Sequence, residues 1–232
     1  MKHDIKVLDE GFVRVYDGGV FGDDLAIVNA ARVSFGTRKN ILDKTDLGLL
    51  KYLAKNKHYS PFRHVMIRLH MTCPEPVARQ LYKHVVGIET TSAHPTKDHA
   101  WNEISGRYKV VDRFHFPLEF RAQSPDNKQA SAGLVEDQHR ATAVYDKAIA
   151  HAETSYKELL ALGVAKEQAR FVLPFAQYTE FYWTASFQAI ANVIELRDHS
   201  HAQFEIRPYA TALRTILESE FPAAFDAWFN QS

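Results

Sequence analysis

Apolar residues alternate from Val65 to Met71, with Val65, Ile67, Leu69 and Met71 at every second position. That period belongs to a strand and predicts one with a single dry face over residues 65 to 72. Helical spacing rules other stretches. Leu47, Leu50 and Leu53 mark a helix within 45–57, and a helical pattern runs from Glu136 to about Leu162, where Gly163 ends it. A chain with both periods, and with helices dominating its second half, reads as α+β. Gly18-Gly19 has neither Walker nor dinucleotide-fold spacing, which argues against a Rossmann domain. Any nucleotide would then be held by side-chain cations and helix termini.

Other elements follow from local signals. Residues 4 to 16 read as a strand, a turn at Glu10-Gly11 and a second strand. Residues 22 to 35 read as a short helix, capped by Asp23 or Asp24, with an extended exit. Pro61 breaks the 45–57 helix and restricts Ser60 to extended geometry. Pro74 and Pro76 open a helix near Val77 to His84, where the first amides lack intrahelical partners. Residues 87–100 read as irregular, and 121–135 as a polar, mobile segment. A short helix spans Lys166 to Leu173 and stops at Pro174; a long one is expected over Tyr178 to His199. The rest is helical, with Pro208 at an N-terminal position or a kink. With no repeat and no visible linker, residues 1–232 read as one domain.

Charge limits the partners. Lys plus Arg total 28, as do Asp plus Glu, so a broad footprint for a nucleic acid polymer is not expected. No apolar run reaches the length of a membrane span, and the N-terminus lacks the stretch of a secretory signal. The single cysteine, Cys73, permits no internal disulfide; the cytoplasm is the expected compartment.

Three segments concentrate reactive groups. Ile190, Ile194, Arg197 and His201 fall at i, i+4, i+7 and i+11, near one face if the helix continues. An arginine in that row serves either an internal salt bridge or subunit contact, or a phosphate or pyrimidine carbonyl. Asn192, Glu195 and His199 form a neighbouring stripe that solvent would equally suit. Arg79 and Lys83 are i,i+4 like charges, as Gln80 and His84 are i,i+4 partners. An anionic ligand would offset the repulsion; a solvated face is the alternative. Trp101 to Tyr108 brings Asn102, Glu103, Ser105 and Arg107 together, suited to a pyrimidine and a phosphate or to a structural turn. The 12 histidines include His199 and His201, but no HExxH pattern or cysteine pair defines a metal site, and none is expected. Cys73 has no basic partner at fixed spacing and reads as structural.

Taken in order, several motifs resemble one family along nearly the whole chain. They are Ala31-Arg32-Val33-Ser34-Phe35, His58-Tyr59-Ser60-Pro61-Phe62, Val77-Ala78-Arg79-Gln80 and Asn102 to Tyr108. Ala169-Arg170-Phe171-Val172-Leu173-Pro174, Tyr178-Thr179, Phe181, Trp183-Thr184, Leu196-Arg197, His201-Ala202-Gln203, Glu205-Ile206 and Tyr209-Ala210 follow. The chain is similar to the flavin-dependent thymidylate synthases of the ThyX type. The resemblance implies an α+β fold with an antiparallel sheet and long helices, a homotetramer, and active sites shared between subunits. It implies dTMP formation from dUMP, with FAD as cofactor and NADPH and 5,10-methylenetetrahydrofolate as co-substrates.

The same resemblance assigns dUMP binding to Gln80, Ser105, Arg107, Arg170 and Arg197. Ser105 and Arg107 would serve the phosphate, and Arg197, the catalytic residue, would stabilise charge on the uracil. Flavin contacts fall to Ser34, His58, Lys83, His84, Asn192 and His201, while Glu103 orients its neighbours. The chain departs from the family in four places. Lys83-His84-Val85 replaces Arg-His-Arg, and residues 88–100 stand as an insertion in which His94, Lys97 and His99 offer substitute donors or merely an exposed loop. Arg63 stands where an acid is common, and Ser186 where asparagine is common, which would alter a flavin hydrogen bond. Two other readings stay open: flavin- and folate-dependent hydroxymethylation of dUMP, and a non-catalytic nucleotide-binding assembly protein.

Overall fold

A computed structural model describes residues 1–84, 100–128 and 130–230. Strands β1 (His3–Val7) and β2 (Gly11–Val15) pair as an antiparallel hairpin, from His3 opposite Val15 to Val7 opposite Gly11. Gly11 is confined by its surroundings. A Cβ there would lie 2.0 Å from the Tyr209 hydroxyl and 2.6 Å from the Val7 carbonyl oxygen. Strand β3 (Val20–Phe21) leads into α1 (Asp24–Arg32), whose N-cap is Asp23, accepting from the Ala26 N–H at 2.8 Å.

The exit from α1 is a tight 3-10 turn, Val33–Phe35, rather than an extended segment. Such a turn satisfies carbonyls that the helix end leaves open, and Gly36 closes it with φ 64°. Helix α2 (Lys44–Lys55) begins with a capping box between Asp43 and Asp46. Asp46 is fully buried and also accepts from Arg32 and Lys39, so its charge is matched. Of the three leucines at helical spacing, Leu50 and Leu53 are buried and Leu47 is exposed. Ser60 is not part of an extended break: Ser60–Arg63 forms another 3-10 turn, with Pro61 early in it, where its missing N–H costs nothing.

Strand β4 (Met66–Pro74) carries Ile67, Leu69, Met71 and Cys73 into the core. It runs straight into α3 (Glu75–Leu81), opened by Pro76. The irregular segment expected at 87–100 lies almost wholly outside the described residues, as does Val85. Strand β5 (Trp101–Glu103) follows. The segment expected to be mobile contains a two-stranded ribbon, β6 (Arg121–Gln123) with β7 (Ser131–Leu134). Helices α4 (Gln138–Ala161) and α5 (Lys166–Ala169) come next, then a 3-10 turn at Arg170–Val172. Gly163 ends α4 with φ 84°, a backbone geometry glycine adopts freely.

Residues 178–199 are not one helix. Tyr178–Ser186 is strand β8, and α6 covers only Phe187–Arg197. Phe181, Trp183 and Ala185 point inward while Tyr182 is exposed, so the segment holds a strand period. Sheet pairing on both of its edges overrides the helical reading: β8 runs antiparallel to β4 from Met66–Ser186 to Pro74–Tyr178, and to β5 on its other side. Among the described residues the sheet has six strands, in the order β1-β2-β4-β8-β5 with β3 also on β4, and every pair is antiparallel.

Helices α7 (Arg207–Glu220) and α8 (Pro222–Phe229) finish the chain. Pro208 sits in the first turn of α7 and kinks nothing. Ile190, Ile194, Leu213, Ile216 and Leu217 join the inward side chains of β2, β4 and β8 in one buried cluster. The N-terminal amides of α8 find their acceptor far away in sequence. Asp24 accepts from Ala223 N–H at 3.0 Å and Ala224 N–H at 2.9 Å, so α1 caps α8.

Candidate active site

The α3–β5–β8 region collects most of the charged groups singled out in the sequence. Trp101 lies opposite Trp183 in the sheet, and its ring stacks on Phe181 at 3.8 Å. That packing fixes β5 at the sheet edge, so the chain leaves it at a set point and turns through Ser105-Gly106-Arg107. The Ser105 carbonyl accepts from the N–H groups of Tyr108 (2.9 Å) and Lys109 (3.1 Å). The Ser105 hydroxyl accepts from Arg107 Nε at 3.2 Å, which holds these two side chains together. Gly106 lets Arg170 come close: a Cβ there would meet Arg170 Cδ at 3.4 Å.

Ser105, Arg107 and Arg170 line one cavity of about 480 Å³ with Glu75, Glu103, Gln177 and Tyr178. Glu75 and Glu103 also line an adjoining one of about 360 Å³ with Arg79, Lys83 and Trp101. Arg79, Arg170 and Glu75 meet again in a third, beside Phe171 and Phe175. Glu103 accepts from Trp101 Nε1 at 2.9 Å and from the Thr179 hydroxyl at 2.5 Å. Among the described residues Glu75 accepts from the Gln177 side-chain amide alone, at 3.3 Å. Its carboxyl is pushed above its ordinary range by burial and then by the charge of Glu103.

A second group lies around the end of α6. Arg197 occupies the last turn, where its charge suits the helix dipole, and its Nε is buried without a hydrogen-bond partner among the described residues. His84, half-buried, is pushed down to about 4 by burial and then by the charge of Arg197. The imidazole is therefore neutral at pH 7. Gln80 stands about 100° around the helix from Arg79, as successive helical residues do, and donates to Gln203 at 2.6 Å. His201 does not extend the α6 face, because the helix stops at Arg197 and His201 is exposed beyond it. The stripe beside it is only partly solvated: Glu195 accepts from Trp228 Nε1 at 2.7 Å, and Asn192 is half-buried.

The remaining candidates stand apart. Ser34 is exposed in its 3-10 turn, and His58 is exposed beside Tyr52, their rings 6.0 Å apart. Two departures noted in the sequence have structural partners here. Arg63 Nε donates to Gln188 at 2.6 Å, and Ser186 caps α6 by accepting from the Ala189 N–H at 3.2 Å. Serine and asparagine are comparable in that capping role. Cys73 is fully buried, and burial pushes its thiol well above the ordinary range, so a thiolate is disfavoured.

Sequence reasoning missed Glu75, Gln203 and Glu205 as neighbours of the candidate groups. Glu75 had one visible signal, an acid directly preceding the donor-rich turn of α3. Gln203 and Glu205 stand in motifs that carry the family resemblance, but nothing local pointed to their meeting Gln80 and Arg121.

Comparison with known proteins sharpens the assignment. Residues 20–223 match the family model described as thymidylate synthase complementing protein. A flavin-dependent thymidylate synthase of Thermus thermophilus is 42% identical over 225 residues, covering 97% of this chain and 77% of the relative. That of Thermosipho africanus is 37% identical over 226 residues, covering 96% and 92%. Among solved structures, a UMP/dUMP methylase, PolB, from Streptomyces cacaoi bound with 5-Br dUMP superposes with a TM-score of 0.81 at 28% identity, covering 97% of each chain.

Proposed function

The chain belongs to the flavin-dependent thymidylate synthase family, and on that premise we propose that it converts dUMP to dTMP, taking a one-carbon unit from 5,10-methylenetetrahydrofolate. The observation that carries this reading is Arg197, whose Nε is buried with no acceptor among the described residues. A buried guanidinium nitrogen left open calls for an acceptor from a ligand, and a uracil carbonyl supplies one.

In this reading Ser105, Arg107 and Arg170 hold the dUMP phosphate, with the guanidinium fork matching its oxygens. Gln80 and Arg197 hold the base. Arg197 would stabilise the negative charge that gathers on the uracil carbonyl edge as the ring is activated for attack by C5, because it is already in place. The buried Cys73 takes no part, so the ring is activated by electrostatics rather than by a protein thiol.

The donor set also fits FAD, as Lys83, beside Arg79, suits an anionic diphosphate and His84 presents a neutral imidazole. Flavin reduced by NADPH supplies the hydride that completes the methyl group. Lys83, His84, Asn192, Ser34, His58 and His201 would hold it, Lys83 and the last three from exposed positions. We assign these exposed residues to sites shared between copies in a homotetramer, the assembly also fitting the exposed Phe35, Phe171 and Phe175. Glu103 steadies Trp101 and Thr179 at the groove. The chain is read as one cytoplasmic domain.

The test is anaerobic turnover with FAD, NADPH, methylenetetrahydrofolate and either dUMP or UMP, with the product identified by mass. dTMP formation that needs both folate and flavin supports the reading. The Streptomyces cacaoi structure is described as a UMP/dUMP methylase, which is why UMP belongs in the assay. A hydroxymethylated product would instead link the Lys83-His84-Val85 departure to a different outcome. Flavin-loaded protein that leaves every pyrimidine unchanged would sink the catalytic reading.

A further inference from the structure

Gln80 ends a chain of hydrogen bonds that starts at an ion pair. Arg121, on β6, donates to Glu205 Oε1, and its guanidinium lies 4.0 Å over the Phe204 ring. Gln203 Nε2 donates to Glu205 Oε2 at 2.9 Å. Gln80 Nε2 donates to Gln203 Oε1 at 2.6 Å. Burial opposes ionisation of Glu205, but the donors Gln203 and Arg121 outweigh it and hold the carboxyl below its ordinary range.

The direction of every bond follows from the ionic end. A carboxylate only accepts, so Gln203 must turn its NH2 toward Glu205. Its carbonyl must then face Gln80, and Gln80 must commit an N–H to it. An isolated glutamine could exchange its oxygen and nitrogen at little cost; this one cannot. Gln80 Oε1 is left over and has no hydrogen-bond partner among the described residues.

We propose that Arg121, Glu205 and Gln203 are positioning residues that lock Gln80 as a hydrogen-bond acceptor, and so make the site select uracil over cytosine nucleotides. The inference rests on Gln80 contacting the pyrimidine base. Uracil presents an N3–H to such an acceptor. Cytosine presents a lone pair at N3, and two acceptors would face each other. A site built around a fixed hydrogen bond rejects the mismatched partner strongly because a buried polar group is then left unpaired.

The experiment is calorimetric titration of the FAD-loaded full chain with dUMP and with dCMP. The wild type should bind dUMP roughly 30-fold or more tighter. In Glu205→Gln the group at 205 both donates and accepts, the direction of the chain is no longer forced, and the preference should narrow about 10-fold. Glu205→Asp, which keeps the charge, should retain most of it. Gln203→Leu cuts the chain at its centre and should narrow it by a second route. A merely structural role would weaken both nucleotides together, and an unchanged ratio in E205Q and Q203L overturns the proposal. Gln80→Ala tests the reading beneath it. Lost discrimination there, with the other two unchanged, rejects the relay alone; an unchanged ratio in all three rejects Gln80 as a base contact as well.

Discussion

Glu75 and Glu103 share the wall between two cavities, one lined by Arg107 and Arg170 and the other by Arg79 and Lys83. The two acids differ in support. Glu103 accepts two good hydrogen bonds, while Glu75 has one long contact and a raised pKa. Glu75 thus places negative charge where an anion is to bind. Replacing it with glutamine keeps the shape and removes the repulsion. Glu75→Gln is expected to tighten dUMP binding roughly 3- to 10-fold, corresponding to about 1 kcal/mol of charge repulsion at a partly exposed site. Titration calorimetry of the variant against wild type decides it, and a weaker affinity would show that Glu75 itself contacts the ligand.

Arg197 Nε has no hydrogen-bond partner among the described residues, so shortening the side chain loses none of their bonds there. Arg197→Lys should leave the melting temperature of the ligand-free protein within a few degrees. The melting shift produced by dUMP should shrink sharply, and kcat should fall about 100-fold or more. A large loss of ligand-free stability with turnover intact would make Arg197 a structural residue.

His84 titrates below its free value, at about 4 rather than 6.5. Between those two values the unfolded chain binds a proton that the folded chain refuses, so stability is full above about 6.5 and declines as pH falls toward 4. The slope should amount to roughly 2 kcal/mol across that window after allowing for partial exposure. Denaturant melts of wild type and His84→Asn at pH 7.5 and 4.5 isolate it. Equal pH dependence in the two proteins would show that His84 is not depressed.

Gly11→Ala should cost more than about 2 kcal/mol, because the added methyl meets the Tyr209 hydroxyl and the Val7 carbonyl at distances no carbon tolerates. Adding Tyr209→Phe removes one of the two clashes, so it should recover only part of the loss in a thermal melt.

Much of the fold could be read locally. The β1–β2 hairpin, α2, α4 and the proline-opened α3 and α7 each carry their signal within a few residues: a turn, a cap, or proline early in a helix. β8 was misread because an apolar segment running into a helix fits both periods until its neighbours are known. Its signal was nonetheless present in the inward set Phe181, Trp183 and Ala185 and in the aromatic and threonine content. The site divides the same way. Ser105, Arg107 and Glu103 are near in sequence and were legible as a unit. The arrival of Arg170 beside Gly106, of Arg197 near His84, and of Gln203 beside Gln80 depends on how the turn after α5, α6 and the chain after Arg197 pack, which no short window contains.

The pairing of β4 with β8 has a consequence for how the protein is made. Pro74 waits for Tyr178, and Met66 for Ser186, so a long stretch of chain must be synthesised before the central ladder can close. Until then Ile67, Leu69, Met71 and Cys73 leave the ribosome on a strand whose main partner does not yet exist. The entropy of closing so large a loop also comes before any reward from its contacts, which makes refolding slow compared with a helical bundle of the same length. A chain that stops short of Tyr178 keeps that edge open permanently, and its expected fate is aggregation through the unpaired strand.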